Sequence, residues 1–284
     1  MPKLTSRDGT QIAYDRQGQG PALILVDGAM CFRSFGPMPG LAKLLESNFT
    51  VYTYDRRGRG ESTDTQPYAV EREVEDLEAL VKAAGNSAYL FGTSSGACLA
   101  LETASRLGDK VTKLALYEAP YREGGDARRE WRNYRKQLGD LLAAGRRGDA
   151  AALFMKFVET PDDMVDGMRQ SPAWPVFEAI APTLMHDADD MGEDRTVPVD
   201  RAARVTASTL AINGSASFPF MYDSAKTIAN VVPNAQLRTL EGQTHNVSLE
   251  VLAPVLIEFF KTEKTQAHKF RTTSHETEPG SQKV

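Results

Sequence analysis

Short apolar runs of strand length, each followed by a helical period, constrain this chain more than any other feature. Ala22 to Val26 is continuously apolar and closed by Asp27-Gly28, as expected of a strand buried on both faces. Phe49 to Tyr54, Ala88 to Phe91 and Val111 to Tyr117 repeat the pattern. Between these runs Val74, Leu77, Leu80 and Val81, and then Cys98, Leu99, Leu101 and Ala104, fall at helical spacing. Residues 3–16 read as two short strands about a turn at Asp8-Gly9. Such alternation predicts an α/β fold in which a mostly parallel sheet carries helices on both faces. From about 121 to 204 the alternation stops, and the sequence is charged, helical in period and without a convincing strand. It resumes with Ser208 to Asn213, a helix near Tyr222 to Val231, a strand at Gln236 to Leu240 and an amphipathic helix through Phe260. The expected organisation is an α/β core of residues 1–120 and 205–262, interrupted by a helical insertion at 121–204. The polar, aperiodic tail at 263–284 is expected to be unstructured.

Composition narrows the class. With 284 residues, 25% charged, 41% hydrophobic and a net charge of −5, the chain can bury a substantial core without staples. Two cysteines, Cys31 and Cys98, point to free thiols in a reducing compartment rather than to a disulfide framework. No stretch approaches the roughly 18 apolar residues of a membrane span, and no apolar stretch follows the N-terminal lysine as in a secretory signal. The mild acidity argues against nucleic acid as a main partner. A cytoplasmic protein acting on a small molecule, without membrane or nucleic-acid partners, is expected. Its assembly state is open, a homodimer included.

The local signal richest in chemistry is Gly92-Thr-Ser94-Ser-Gly96, directly after one strand and before one helix. A nucleophile elbow places its serine on a strained turn, with flanking glycines that let neighbouring backbone pass. The pentad alone occurs by chance in roughly one chain of this size in ten; its strand–turn–helix context selects Ser94 over Ser95. A serine needs a base. Of four histidines, His268 and His275 lie in the tail, and His186 lies in the insertion beside Asp187, Asp189 and Asp190, where an exposed position is expected. That leaves His245, in the loop after the last strand, where a parallel sheet presents its site. Oxyanion donors are expected from the backbone N–H of Ser95 and, in the loop after the third strand, of Ala29. No metal site and no phosphate-binding glycine pattern is read, so the expected chemistry is cofactor-free. Cys98 is expected to be buried in the helix after the elbow.

Together these motifs resemble the α/β-hydrolase superfamily, in the branch with a helical cap inserted after the sixth strand. Asp55-Arg-Arg-Gly-Arg-Gly-Glu-Ser62 is similar to that family's Asp-x-Arg-Gly-x-Gly-x-Ser segment, which shapes the wall beside the site. Two positions depart from the family. Asp27-Gly28 stands where His-Gly is usual. The loop after the seventh strand, Gly214-Ser-Ala-Ser217-Phe-Pro219, has serine where the triad acid is usual. The later Asp223 is expected to cap a helix. Some members resembling haloalkane dehalogenases place the acid at the end of the sixth strand, and Glu118 stands there. The resemblance thus implies a Ser94–Glu118–His245 triad, with a Ser217-based arrangement as the alternative. The expected activity is hydrolysis of a small, moderately apolar carboxylic ester or lactone through an acyl-enzyme. A secondary-metabolism tailoring enzyme of the same fold (lyase, C–C hydrolase or thioesterase) and a non-catalytic ligand-binding member are the rivals.

Overall fold

In the computed structural model, which describes residues 2–262, eight strands form one sheet. The elements run β1 (Lys3–Thr5), β2 (Gln11–Gln17), β3 (Ala22–Val26), α1 (Met38–Leu45), β4 (Thr50–Tyr54), α2 (Val70–Ala83), β5 (Ala88–Thr93), α3 (Ser95–Leu107) and β6 (Val111–Tyr117). Six helices follow without a strand: α4 (Gly125–Ala143), α5 (Arg147–Phe157), α6 (Asp162–Arg169), α7 (Trp174–Ile180), α8 (Leu184–Asp190) and α9 (Val199–Ala202). The chain then returns to the sheet with β7 (Ser208–Gly214), α10 (Pro219–Val231), β8 (Ala235–Leu240) and α11 (Leu249–Lys261). The strand order is β1-β2-β4-β3-β5-β6-β7-β8, antiparallel at β1/β2 and β2/β4 and parallel from β4 onwards.

Pleating explains why the central strands read as unbroken apolar runs. Successive side chains point to opposite faces, and both faces are covered. Leu23, Leu25, Ala115 and Tyr117 meet Met38, Leu41 and Leu45 of α1 and Leu252, Leu256 and Phe260 of α11. Ile24, Val26, Leu114 and Leu116 meet the other layer, including Leu77 and Leu80 of α2, Leu99 and Leu101 of α3 and Ile228 of α10. The inserted helices have a core of their own around Trp131, Tyr134, Leu138, Phe177 and Leu184. Among the described residues no helix is long and apolar enough to cross a membrane. The tail expected to be unstructured, with His268 and His275, lies outside the described residues.

Two readings of individual side chains are corrected. Asp223 does not cap α10; it is exposed, four residues past the first residue of that helix, which starts at Pro219 with Phe218 before it. His186 is not on the surface. It is 6% exposed and stacks on Tyr68 with ring centroids 3.7 Å apart. Its acidic neighbours Asp187 and Asp190 face Arg56 and Arg59 across the junction with the sheet, and that pairing is what draws α8 inward. Cys98 is fully buried in α3, as expected.

Candidate active site

The chain passes from β3 outward to β4 and then crosses back to β5 on the other side of β3. The carboxyl ends of β3 and β5 therefore flank a topological switch point, the usual crevice for a ligand in such a sheet. Register carries the alignment across to the far edge. Val26 pairs with Gly92, Thr93 with Tyr117, Tyr117 with Ile212 and Gly214 with Leu240. The loops holding Ala29, Ser94, Glu118, Ser217 and His245 all leave from this one edge.

Ser94 has φ 55° and ψ −130°, a conformation that a residue with a Cβ rarely adopts. Its N–H is held by the carbonyl of Tyr117 at 3.0 Å, and its carbonyl accepts from Ala97 at 2.9 Å. Both flanking glycines are sterically required. A Cβ on Gly92 would lie 2.4 Å from the Gly96 carbonyl oxygen, and one on Gly96 would lie 2.4 Å from the carbonyl oxygens of Val26 and Asp27. The elbow is pressed against the loop after β3, where a Cβ on Gly28 would come within 3.1 Å of the Ser94 Cβ.

Glu118 also has a positive φ, 47°, and its N–H donates to the Ile212 carbonyl at 2.9 Å. Its side chain is sealed from solvent and accepts three hydrogen bonds, which offset the cost of burying a charge. The Gly214 N–H reaches Oε1 at 2.8 Å, while the Ser217 hydroxyl and His245 Nδ1 reach Oε2 at 2.8 and 2.7 Å. A carboxylate only accepts, so the imidazole hydrogen sits on Nδ1 and Nε2 is left with its lone pair. Of the two groups expected beside the histidine, Glu118 meets the imidazole, whereas Ser217 bonds Glu118 rather than the ring. Gly214 allows the histidine loop to close over β7, because a Cβ there would lie 2.1 Å from the Gln243 carbonyl oxygen. Tyr117 Oη anchors the same loop by donating to the Thr244 carbonyl at 2.5 Å.

Ser94, Ser95, Ala29, Ser217 and His245 line one cavity of about 1090 Å³ beneath the inserted helices. Ser95 is the first residue of α3, so its N–H has no acceptor within the helix and sits at the positive end of the helix dipole. The Ala29 loop is fixed from both sides. Gly28 N–H donates to Asp27 Oδ1 at 2.9 Å, and the Gly28 carbonyl accepts from Arg59 at 2.7 Å. Asp27 is 4% exposed, and burial pushes its carboxyl up to about 7, against the pull of the Gly28 N–H and Arg59.

Sequence reasoning missed the group behind this loop. Arg59 forms a two-oxygen fork with Asp187 at 2.8 and 2.7 Å, and Ser95 Oγ donates to Asp187 Oδ1 at 2.7 Å. Arg56 joins Asp187, Asp190 and both oxygens of Glu73. Burial drives Asp190 well above the carboxylate range, whereas Glu73, opposed by burial, is held at about 2 by Arg56. The Asp55–Ser62 segment thus does more than shape a wall: it bolts α8 to the loop after β3. Charges of both signs at 55–62 and 187–190 were the only trace of this pairing in the sequence. Arg195, also on the cavity wall, went unread.

A sheet covered by helices on both faces, with a serine on a strained elbow and an acid-held histidine, defines a hydrolase-type architecture. Residues 23–254 match the model of the alpha/beta hydrolase family, and the chain belongs to that family. An alpha/beta hydrolase of Sphaerobacter thermophilus has a crystal structure that is similar at 46% identity and a TM-score of 0.80, covering 91% of this chain and 100% of that one. An uncharacterized hydrolase of Bacillus subtilis, YraK, is 33% identical over 114 residues, 39% of this chain and 41% of its own length. The proline iminopeptidase PfmaB of Pestalotiopsis fici is 25% identical over 276 residues, covering 88% of this chain and 95% of its own.

Proposed function

We propose that this alpha/beta hydrolase cleaves a small, moderately apolar carboxylic ester or lactone through an acyl-enzyme on Ser94, without a cofactor. The observation that carries the reading is the 2.7 Å contact of His245 Nδ1 with the buried Glu118, on a cavity that Ser94 also lines. Ser94 Oγ attacks the carbonyl while His245 Nε2 takes its proton, and Glu118 stabilises the resulting imidazolium. The N–H groups of Ser95 and Ala29 hold the oxyanion. The imidazolium then protonates the leaving alkoxide, which departs from an ester and stays tethered in a lactone. Water, deprotonated by His245, releases the acid and restores Ser94. The inserted helices act as a cap that roofs the cavity and selects substrates.

Turnover of p-nitrophenyl butyrate tests this reading. Ser94→Ala and His245→Ala, each purified and folded, are expected to lose activity by orders of magnitude. Retention of a tenth or more of wild-type activity by Ser94→Ala would overturn the assignment.

A further inference from the structure

Among the described residues the guanidiniums buried beside the sheet come with carboxylates, whereas the half-buried Arg195 does not. Arg56 has Glu73, Asp187 and Asp190; Arg57 has Asp8 and Asp76; Arg59 has Asp187. Arg195 lies on the cavity wall between α8 and α9, and no described carboxylate comes within 4.0 Å of it. Its Nε donates to the Pro120 carbonyl at 2.5 Å, and that is its one side-chain hydrogen bond among the described residues. Three rings box the guanidinium, with centroids 5.4 Å away at Trp131, 5.2 Å at Phe157 and 5.3 Å at Phe220. Neither Nη is sealed in protein. Two acids close by are already engaged, Asp194 with Arg132 at 2.6 Å and Glu130 with Arg122 at 3.3 Å, while Glu159 on the same cavity wall is exposed to solvent.

We propose that Arg195 is the anchor for a free carboxylate on the substrate, so that the ester or lactone cleaved at Ser94 is a monoanion. The proposal rests on the reading of Ser94 as nucleophile and adds the class of its substrate. Aromatic faces hold the cation in place without neutralising it, which leaves its electrostatic demand for the ligand to meet. The two Nη groups form the planar fork that matches a carboxylate, and one unpaired cation balances one negative charge. Burial, with Arg122 close by, pulls the Arg195 pKa down to about 10, so the group is charged at neutral pH. The apolar rings around it suit the hydrocarbon between the acid and the scissile carbonyl.

Two matched esters with six-carbon acyl chains, p-nitrophenyl hydrogen adipate and p-nitrophenyl hexanoate, test the proposal through the ratio of their kcat/KM values. Wild type is expected to favour the anionic ester, and Arg195→Met to lower that ratio at least about tenfold, mainly through KM, with Arg195→Lys in between. An Arg195 that only pins the 191–198 segment would slow both esters alike; an unchanged ratio overturns the proposal. Calorimetry on Ser94→Ala protein gives a readout independent of turnover. Monomethyl adipate is expected to bind at least about tenfold more tightly than dimethyl adipate, and equal binding overturns the anion site. Anion-selective binding in a protein that hydrolyses neither ester would sink the hydrolase reading and leave the anion site standing.

Discussion

At the scale of single residues, Glu118 joins the most parts of the site, because one carboxylate holds the imidazole and is itself held by Gly214 and Ser217. Glu118→Gln keeps the shape but offers an amide that neither enforces the tautomer nor stabilises an imidazolium. It is expected to lower kcat by about 10³–10⁴, as the corresponding change does in a serine protease; steady-state kinetics within threefold of wild type would remove Glu118 from the triad. Ser217→Ala deletes one of three donors to that carboxylate and is expected to cost about tenfold in kcat or less. Asp27 gives a second prediction, in stability. Its folded pKa is raised from 3.8 to about 7, so between these values the folded protein holds a proton that the unfolded chain has lost. Stability therefore falls as pH climbs from about 4 to about 7 and levels off above. Asp27→Asn escapes that loss and should gain about 2–3 kcal/mol relative to wild type between pH 5 and pH 8. Denaturant midpoints at the two pH values measure it, and a constant difference between variant and wild type would contradict it.

At the scale of elements, α8 is joined to the sheet by charge as much as by apolar packing. Asp187 pairs with Arg56 and Arg59 and also receives the Ser95 hydroxyl, so one side chain links the inserted helices, the segment after β4 and the start of α3. Removing it leaves the buried Arg59 guanidinium without a carboxylate, while Arg56 keeps Glu73 and Asp190. Asp187→Ala is expected to destabilise the protein by about 3–5 kcal/mol, because stranding a buried charge costs far more than the intact pair contributes. Chemical denaturation reads this directly, and a loss below about 1 kcal/mol would mean that α8 is held by apolar contacts alone. The elbow shows the same economy of placement. Gly92 and Gly96 have no room for a Cβ, and that crowding brings Ser94 to the mouth of the crevice between β3 and β5.

At the scale of the whole molecule, what was legible in the sequence was what depends on local pattern. Central strands buried on both faces show as apolar runs, and the elbow shows as glycines at fixed spacing. The family resemblance singled out Glu118 at the end of β6, and its carboxylate does meet the His245 ring. Helix α1 was not, since Met38-Pro-Gly-Leu-Ala-Lys-Leu-Leu45 opens with a helix-breaking pair and is only eight residues long. Contacts between distant segments were also invisible. Arg56 and Asp187 are 131 residues apart, and no periodicity links them, so acids beside His186 read as exposed surface. Arg195 went unread for a related reason: its rings come from α4, α5 and α10 and converge only after folding. The claim on which the whole account turns is that Ser94 is an activated nucleophile. A fluorophosphonate probe, followed by intact mass and peptide mapping, measures this most directly. About one equivalent bound at Ser94, strongly slowed in folded His245→Ala, is the predicted result. Folded wild-type protein that takes up no label, or takes it up at another residue, would contradict it.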